Sequence, residues 1–315
     1  MLSRAADNLY WMARYMERAE NMARMLDVAY RMALLPGDAV QQRTQWESAI
    51  IIAGCEVDYT AKNGVYNADS VIAYLATDLE NRSSIRSSLQ AARENARAMR
   101  AQITNEMWES LNDTWLEVRN LDYPAVKGRG SREFFDWVKE RSHLFRGVSY
   151  GTMQRDEAYH FVRLGGFLER ADSTARILDV KYHVLLPSPA DVGGAVDYYQ
   201  WAAILRSVSA FRAYRKIYRD VIVPRRVAEL LILRPDMPRS LVACLSETER
   251  LLVELRALYG HDYESTRLAA SMCSRLRYGS MDQVFDQGLH EYLTETIDRN
   301  IELGKSIARD FMALD

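Results

Sequence analysis

Residues 17–30 read ERAENMARMLDVAY, and residues 169–182 read ERADSTARILDVKY. At an offset of 152 the identical positions are Glu17/Glu169, Arg18/Arg170, Ala19/Ala171, Ala23/Ala175, Arg24/Arg176, Leu26/Leu178, Asp27/Asp179, Val28/Val180 and Tyr30/Tyr182, and Glu20/Asp172 keeps its charge. The offset is close to half of the 315 residues. That predicts two related halves, 1–150 and 151–315, rather than the 20–50-residue units of a solenoid. Fainter echoes follow: Trp46 and Tyr59 correspond to Trp201 and Tyr214 at an offset of 155, and Ser84-Ile85 and Leu89 to Ser240-Leu241 and Leu245 at 156. Small loop insertions produce such a drift.

The chain between these landmarks is helical in pattern. Helices are predicted at about 3–34, 40–58, 67–79, 83–119 with one break, 131–147, 155–184, 194–216, 222–233, 238–259, 264–277 and 281–312. Only 15 glycines and 7 prolines interrupt them. The expected breaks are Pro36-Gly37, Pro124 with Gly128 and Gly130, Pro187 and Pro189 with Gly193-Gly194, and Pro235 with Pro238. The fold expected is all-α: a single multi-helix bundle of two pseudo-symmetric halves related by internal duplication, sharing one core over 1–315.

Placed on a helix at 100° per residue, the repeated segment separates into two faces. Met12, Met16, Ala19, Ala23, Leu26 and Tyr30 form a narrow apolar stripe in which the alanines let a neighbouring helix come close. Leu164, Leu168, Ala171, Ala175, Leu178 and Tyr182 reproduce it. Along its edge runs a charged ribbon, Glu17, Glu20, Arg24 and Asp27, with a twin in Glu169, Asp172, Arg176 and Asp179; Arg14 and Arg18 are read as pointing away. An unpaired buried charge is costly, so arginine–carboxylate pairs between helices are the natural solution. The open alternative is that the ribbons line a central cleft for a metal, an amine or a carboxylate-bearing substrate.

Other features narrow the function. With 41 basic and 43 acidic residues well mixed, the net charge of −2 argues against a nucleic-acid partner. Cys55, Cys244 and Cys273 suit neither a disulfide framework nor a metal knuckle and read as buried small hydrophobes. No apolar run reaches the roughly 20 residues needed to span a bilayer, and Arg4, Asp7 and Arg14 leave no signal-peptide core, so the cytoplasm is expected. Glu140/His143 and Glu157/His160 are Glu-x-x-His pairs of the type used by helical di-metal sites. The pairs are only 17 residues apart across an expected turn, whereas such a bundle carries them on well-separated helices, so no metal is favoured. Gly304-Lys305-Ser306 lacks the upstream glycine of a phosphate loop, and no cofactor is expected.

LYWMARYMERAENMARMLDV and FVRLGGFLERADSTARILDV resemble the two signature stretches of the alpha-E family, helical bacterial proteins named for a Glu-Arg motif. ARENARAMRAQITNEMWESLN (92–112) and RSHLFRGVSYGTMQRDEAYHF (141–161) resemble it too, so the likeness spans the chain. Gly165-Gly166 departs from the Gly-Arg pair that the family pattern carries there. By position the family's motif residues are Glu17, Arg18, Arg24, Glu169, Arg170 and Arg176. The resemblance implies a bacterial protein that accompanies a circularly permuted ATP-grasp protein, often with a transglutaminase-like protein and sometimes a proteasome-related peptidase. The function expected is therefore an accessory component of an ATP-grasp-based amide-ligase or peptide-modification system, binding the ligase or its peptide. The alternative is an enzyme acting on an amine or amide, with or without metal, at a Glu/Arg-lined cleft. The alanine-rich seams also keep self-association into a homo-oligomer open.

Overall fold

The computed structural model describes residues 1, 3–35, 38–183 and 194–312. Among these the chain is all-α, with sixteen α-helices and no strand. Helix α1 (Ser3–Ala33) carries the first copy of the repeated segment and α9 (Glu157–His183) the second. They pack against each other at the centre. Helices α5 (Ile85–Ala98), α6 (Asn105–Val118) and α8 (Ser131–Thr152) complete a four-helix group with α1. Helices α13 (Leu241–Tyr259), α14 (Glu264–Tyr278) and α16 (Leu289–Phe311) do the same with α9. The shorter α2 (Ala39–Ile52) and α10 (Ala195–Ser207) each touch both central helices.

A helix enclosed on all sides must be apolar or fully paired around its whole circumference. Helix α1 meets that condition: Met12, Met16, Ala19, Ala23 and Leu26 are buried as the stripe requires, and so are Glu17, Glu20, Arg24 and Asp27 beside it. Leu164, Leu168, Ala171, Ala175 and Leu178 are buried in α9, whereas the side chain of Tyr182 lies outside the described residues. The two helices are in backbone contact at Gly165, where a Cβ would run into the carbonyl oxygen of Tyr10 and lie 3.1 Å from its carbon.

Several helices are shorter than the periodicity predicts, and backbone geometry gives the reason. The 40–58 segment divides into α2 and α3 (Glu56–Lys62) at Gly54, whose φ of +69° ends the helical ladder. The 194–216 segment divides into α10 and α11 (Phe211–Tyr218) at Ser209, and 281–312 into α15 (Met281–Gln287) and α16 at Gly288. Between them lie α4 (Ala68–Ile72), continued by a π-helical turn over Ala73–Thr77, and α12 (Pro224–Ile232). The expected break around Pro124 holds α7 (Tyr123–Arg129), with Pro124 in the first turn, where its missing N–H costs nothing, and Asp122 capping Ala125 N–H at 3.0 Å. The breaks at Pro36-Gly37, Pro187, Pro189 and Gly193 lie outside the described residues. Trp46, Tyr59, Trp201, Tyr214 and all three cysteines are buried, and the cysteines are free thiols. No described helix is long and apolar enough to cross a membrane.

Candidate functional site

The two Glu-Arg dipeptides clasp one another. Arg18 of α1 donates from Nε and Nη2 to the Glu169 carboxylate at 2.6 and 3.1 Å, and Arg170 of α9 donates the same way to Glu17 at 2.9 and 2.8 Å. Both pairs have the two-point geometry that makes arginine–carboxylate bonds strong and directional. Arg18 therefore does not point away from the packing face, as helix geometry alone suggests. It reaches sideways to α9, and Arg14 joins it on Glu169 at 2.7 Å. A helical wheel places only the Cβ, and a long arginine stem brings a charge back across the seam.

Arg24 and Arg176, expected to bridge the central helices, take their carboxylates within their own helices instead. Arg24 Nε donates to Glu20 at 2.8 Å and Arg176 Nε to Asp172 at 2.6 Å, four residues back in each case. Their free ends cross to other helices. Arg24 donates from Nη1 to the Ser207 carbonyl at the end of α10, and Arg176 from Nη1 to the Ile52 carbonyl at the end of α2, at 3.3 Å. A cation at a helix C-terminus satisfies a carbonyl that lacks an intrahelical partner. Arg24 Nη1 also lies 3.3 Å from Oγ of Ser209, the residue whose positive φ ends α10. Asp27 is held by Arg31 at 3.0 Å and Lys139 at 3.5 Å, and Asp179 by His290 at 2.8 Å.

Glu17 and Glu20 share one buried cluster with Arg24, Arg146, Arg170 and Arg239. Glu20, fully enclosed, accepts from Arg24, Arg146, Arg239 and Ser142 Oγ. Four guanidiniums thus face two carboxylates. Burial pushes the Glu17 carboxyl up, but Arg170 and Arg146 outweigh it and hold it at about 2. Glu20 behaves likewise, held well below the ordinary range chiefly by Arg239. The surplus of positive charge falls on Arg239, which burial lowers to about 10 against the pull of Glu20.

Across the clasp, Glu169, Asp172 and Arg176 line a cavity of about 290 Å³ together with Arg14, Arg18, Asn21, Ser83 and Ser173. Its remaining wall is apolar, including Met22, Met25, Ile52, Ile177 and Ile301. Apolar walls with a few convergent polar groups are the usual composition of a small-molecule pocket. Burial raises the Glu169 carboxyl as well, and Arg14 and Arg18 bring it down to about 2 from the ordinary 4.5. A folded-state value below the unfolded one stabilises the fold fully above pH about 4.5 and is lost as the pH falls toward 2. The shift at Glu169 alone corresponds to about 3 kcal/mol. Melting temperature should therefore drop between about pH 5 and pH 3, and Glu169→Gln, destabilised at pH 7, should show a shallower drop. A parallel loss in both proteins would place the acid sensitivity elsewhere.

The Glu-x-x-His residues are not brought together. Glu140 is exposed on α8, His143 lies 3.5 Å from Glu20 and 3.3 Å from Arg24, Glu157 bonds Tyr259 and the Met1 amine, and His160 faces Glu254 at 2.7 Å. Among the described residues no three His, Cys, Asp or Glu side chains are placed to hold a metal ion. Arg14, read from the sequence as pointing away, turns in to Glu169, and Arg146, Arg239, Asn21 and Ser142 complete the site without having been singled out from the sequence. Arg239 precedes the helix cap Ser240, and no periodicity marks such a position.

Uncharacterized proteins of Mycobacterium bovis and of two Mycobacterium tuberculosis strains are 26% identical to this chain over 322 aligned positions. The alignment covers 93% of this chain, which spans about a third (35%) of the length of those relatives. No solved structure matches it. A family model described as a predicted alpha-helical domain with a conserved ER motif matches residues 1–312, which include both reciprocally paired Glu-Arg dipeptides. The chain belongs to the Alpha-E family.

Proposed function

We propose that this protein is a non-catalytic accessory component of an ATP-grasp-based amide-ligase or peptide-modification system, built from two related helical halves that share one core. The observation that carries this reading is the state of the motif carboxylates. Glu17 and Glu169 are buried, each accepts from at least two arginines, and both titrate near 2. A general base works best when its pKa lies near the operating pH, and a carboxylate saturated by guanidiniums is a weak one. The alternative, an amine- or amide-processing enzyme using these carboxylates, would need them released from their clasp.

The relatives add support of a different kind, since the matched region is about a third of a longer polypeptide in each. A unit that occurs within larger chains is suited to working beside another domain. The association with a circularly permuted ATP-grasp protein comes from the family resemblance, and the 290 Å³ cavity offers a place where a peptide segment would be held. Two halves related by duplication also account for the recurrence of small details. Ser84 and Ser240 cap α5 and α13 in the same way, Tyr59 and Tyr214 each donate to a carbonyl six or seven residues on, and Gly130 and Gly288 precede α8 and α16 with φ of +99° and +95°.

The test is co-purification of the full chain with a circularly permuted ATP-grasp partner from the same genome, followed by light scattering of the complex. A stoichiometric complex, formed alone or with the peptide present, is the expected result. Absence of any complex under both conditions, or turnover of an amide substrate by this chain alone, would overturn the accessory role.

A further inference from the structure

The two charged clusters differ in one respect that points to a ligand. Under the duplicated reading proposed above, on which this inference rests, Glu20 corresponds to Asp172, Asn21 to Ser173, and Arg24 to Arg176. The residue before each helix-capping serine corresponds as well: Arg239 before Ser240, and Ser83 before Ser84. In the first cluster Arg239 sends its guanidinium into the protein, donating from Nη2 to Glu20 and from Nη1 to Asn21 at 3.3 Å. In the second, Ser83, Asp172 and Ser173 all line the 290 Å³ cavity, and serine has nothing to fill it with.

The other substitutions between the clusters compensate each other. Arg146 of α8 corresponds to Gly304 of α16, and a Cβ on Gly304 would lie 3.6 Å from Arg14 Nη1. Arg14 thus supplies from α1 the guanidinium that α16 lacks. His143 corresponds to Ile301, which adds to the apolar wall. Only the place of Arg239 is left unfilled.

Hydrogen-bond capacity agrees with this account. Arg14 and Arg18 spend Nε and Nη2 on Glu169, Arg14 gives Nη1 to Tyr10, and Arg176 is divided between Asp172 and Ile52. Asp172 accepts from Arg176 alone among the described residues, although a carboxylate has about four acceptor sites. Glu20, its counterpart, accepts from four side chains. Three guanidiniums and two carboxylates line the cavity, so one further cation reproduces the four-to-two ratio that the first cluster already holds.

We infer that the cavity beside Asp172 binds a guanidinium or ammonium group on an aliphatic chain, seated where Arg239 places its own side chain in the other half. Asp172 and Ser173 take the cationic head, and Met22, Met25, Ile52 and Ile177 cover the methylene stem. The source is either an arginine or lysine side chain of a bound peptide or a free cationic metabolite of the same chemistry.

Isothermal titration of the full chain with agmatine, free arginine and a short peptide carrying one internal arginine tests this. Citrulline serves as the neutral isostere and N-acetyl-leucine as an apolar carboxylate. A guanidinium ligand is expected to bind roughly tenfold to hundredfold more tightly than citrulline, the margin of hydrogen bonds to a charged partner. Preference for the peptide over agmatine identifies a polypeptide source, and the reverse a free metabolite. Asp172→Asn should remove the preference for charge. Ser83→Arg should raise the melting temperature and abolish binding, because it returns the missing guanidinium to the chain. Equal binding of citrulline, tighter binding of N-acetyl-leucine, or no binding of any guanidinium ligand would overturn the inference. The last result alongside a stabilised Ser83→Arg would leave the correspondence of the halves standing and remove only the ligand. Complex formation with an ATP-grasp protein is read independently of all these.

Discussion

Replacing Glu20 by alanine should cost about 5 kcal/mol, the upper end of the range for stranding a buried ion-pair partner. Glu20 is fully enclosed, and Arg24, Arg146 and Arg239 all depend on it. Glu17 is the carboxylate that remains among four guanidiniums. Arg239, already lowered to about 10 by burial, would lose its main counter-charge. Glu20→Gln should be milder, because the amide oxygen still accepts while the charge is gone. The matched control is Glu94→Ala on the exposed face of α5, where the pairs with Arg93 and Arg97 are half in water and worth less than about 1 kcal/mol. Urea unfolding of the three variants measures the difference. Similar midpoints for Glu20→Ala and the control would mean that the cluster contributes nothing to the fold.

Gly165→Ala should cost about 3 kcal/mol, the top of the usual range for overpacking, although alanine is ordinarily the better helix residue. The added methyl meets the backbone of Tyr10, 3.1 Å from its carbonyl carbon, and Arg14 Cγ at 3.2 Å. A backbone carbonyl inside a helix cannot rotate away as a side chain can, so the two central helices must separate. The clasp would be the first casualty, since Arg18 and Arg170 reach their carboxylates only at the present spacing. Gly166→Ala is the internal control: a Cβ there meets nothing within 4 Å, so it should stabilise by about 0.5–1 kcal/mol. Thermal melts of the two variants should move in opposite directions. A shift of the same sign in both would show that the helices are not held at contact distance by Gly165.

Much of this architecture is legible in the sequence because it depends on local periodicity. The stripe from Met12 to Leu26 and its twin from Leu164 to Leu178 are buried as their spacing requires. The breaks inside the predicted helices were harder to read. Gly54, Ser209 and Gly288 end helices through positive φ values, and the sequence around Ser209 carries no glycine to announce one. The candidate site was legible in its carboxylates and in the motif arginines Arg18, Arg24, Arg170 and Arg176, and not in the partners from other elements. Glu17, Glu20, Glu169 and Asp172 share a helix edge by simple rotation. Arg146, from α8, and Arg239, from the turn before α13, arrive from more than a hundred residues away in sequence. Gly165 shows the same limit in backbone form. As a sequence element it interrupts a helical pattern, and only the approach of α1 gives it a purpose.

The sequence by itself determined that the chain is helical, that one charged segment occurs twice, and which face of each copy is apolar. Those properties follow from the 3.6-residue period and from residue identity, both local. The tertiary structure decided that the two Glu-Arg dipeptides neutralise one another, that Arg24 and Arg176 tie helix ends rather than bridge the centre, and that Glu169, Asp172 and Arg176 border a cavity of about 290 Å³. These depend on where long side chains from distant helices end. An arginine head sits about 6 Å or more from its own Cα, far enough to change partners without changing the pattern that placed its helix.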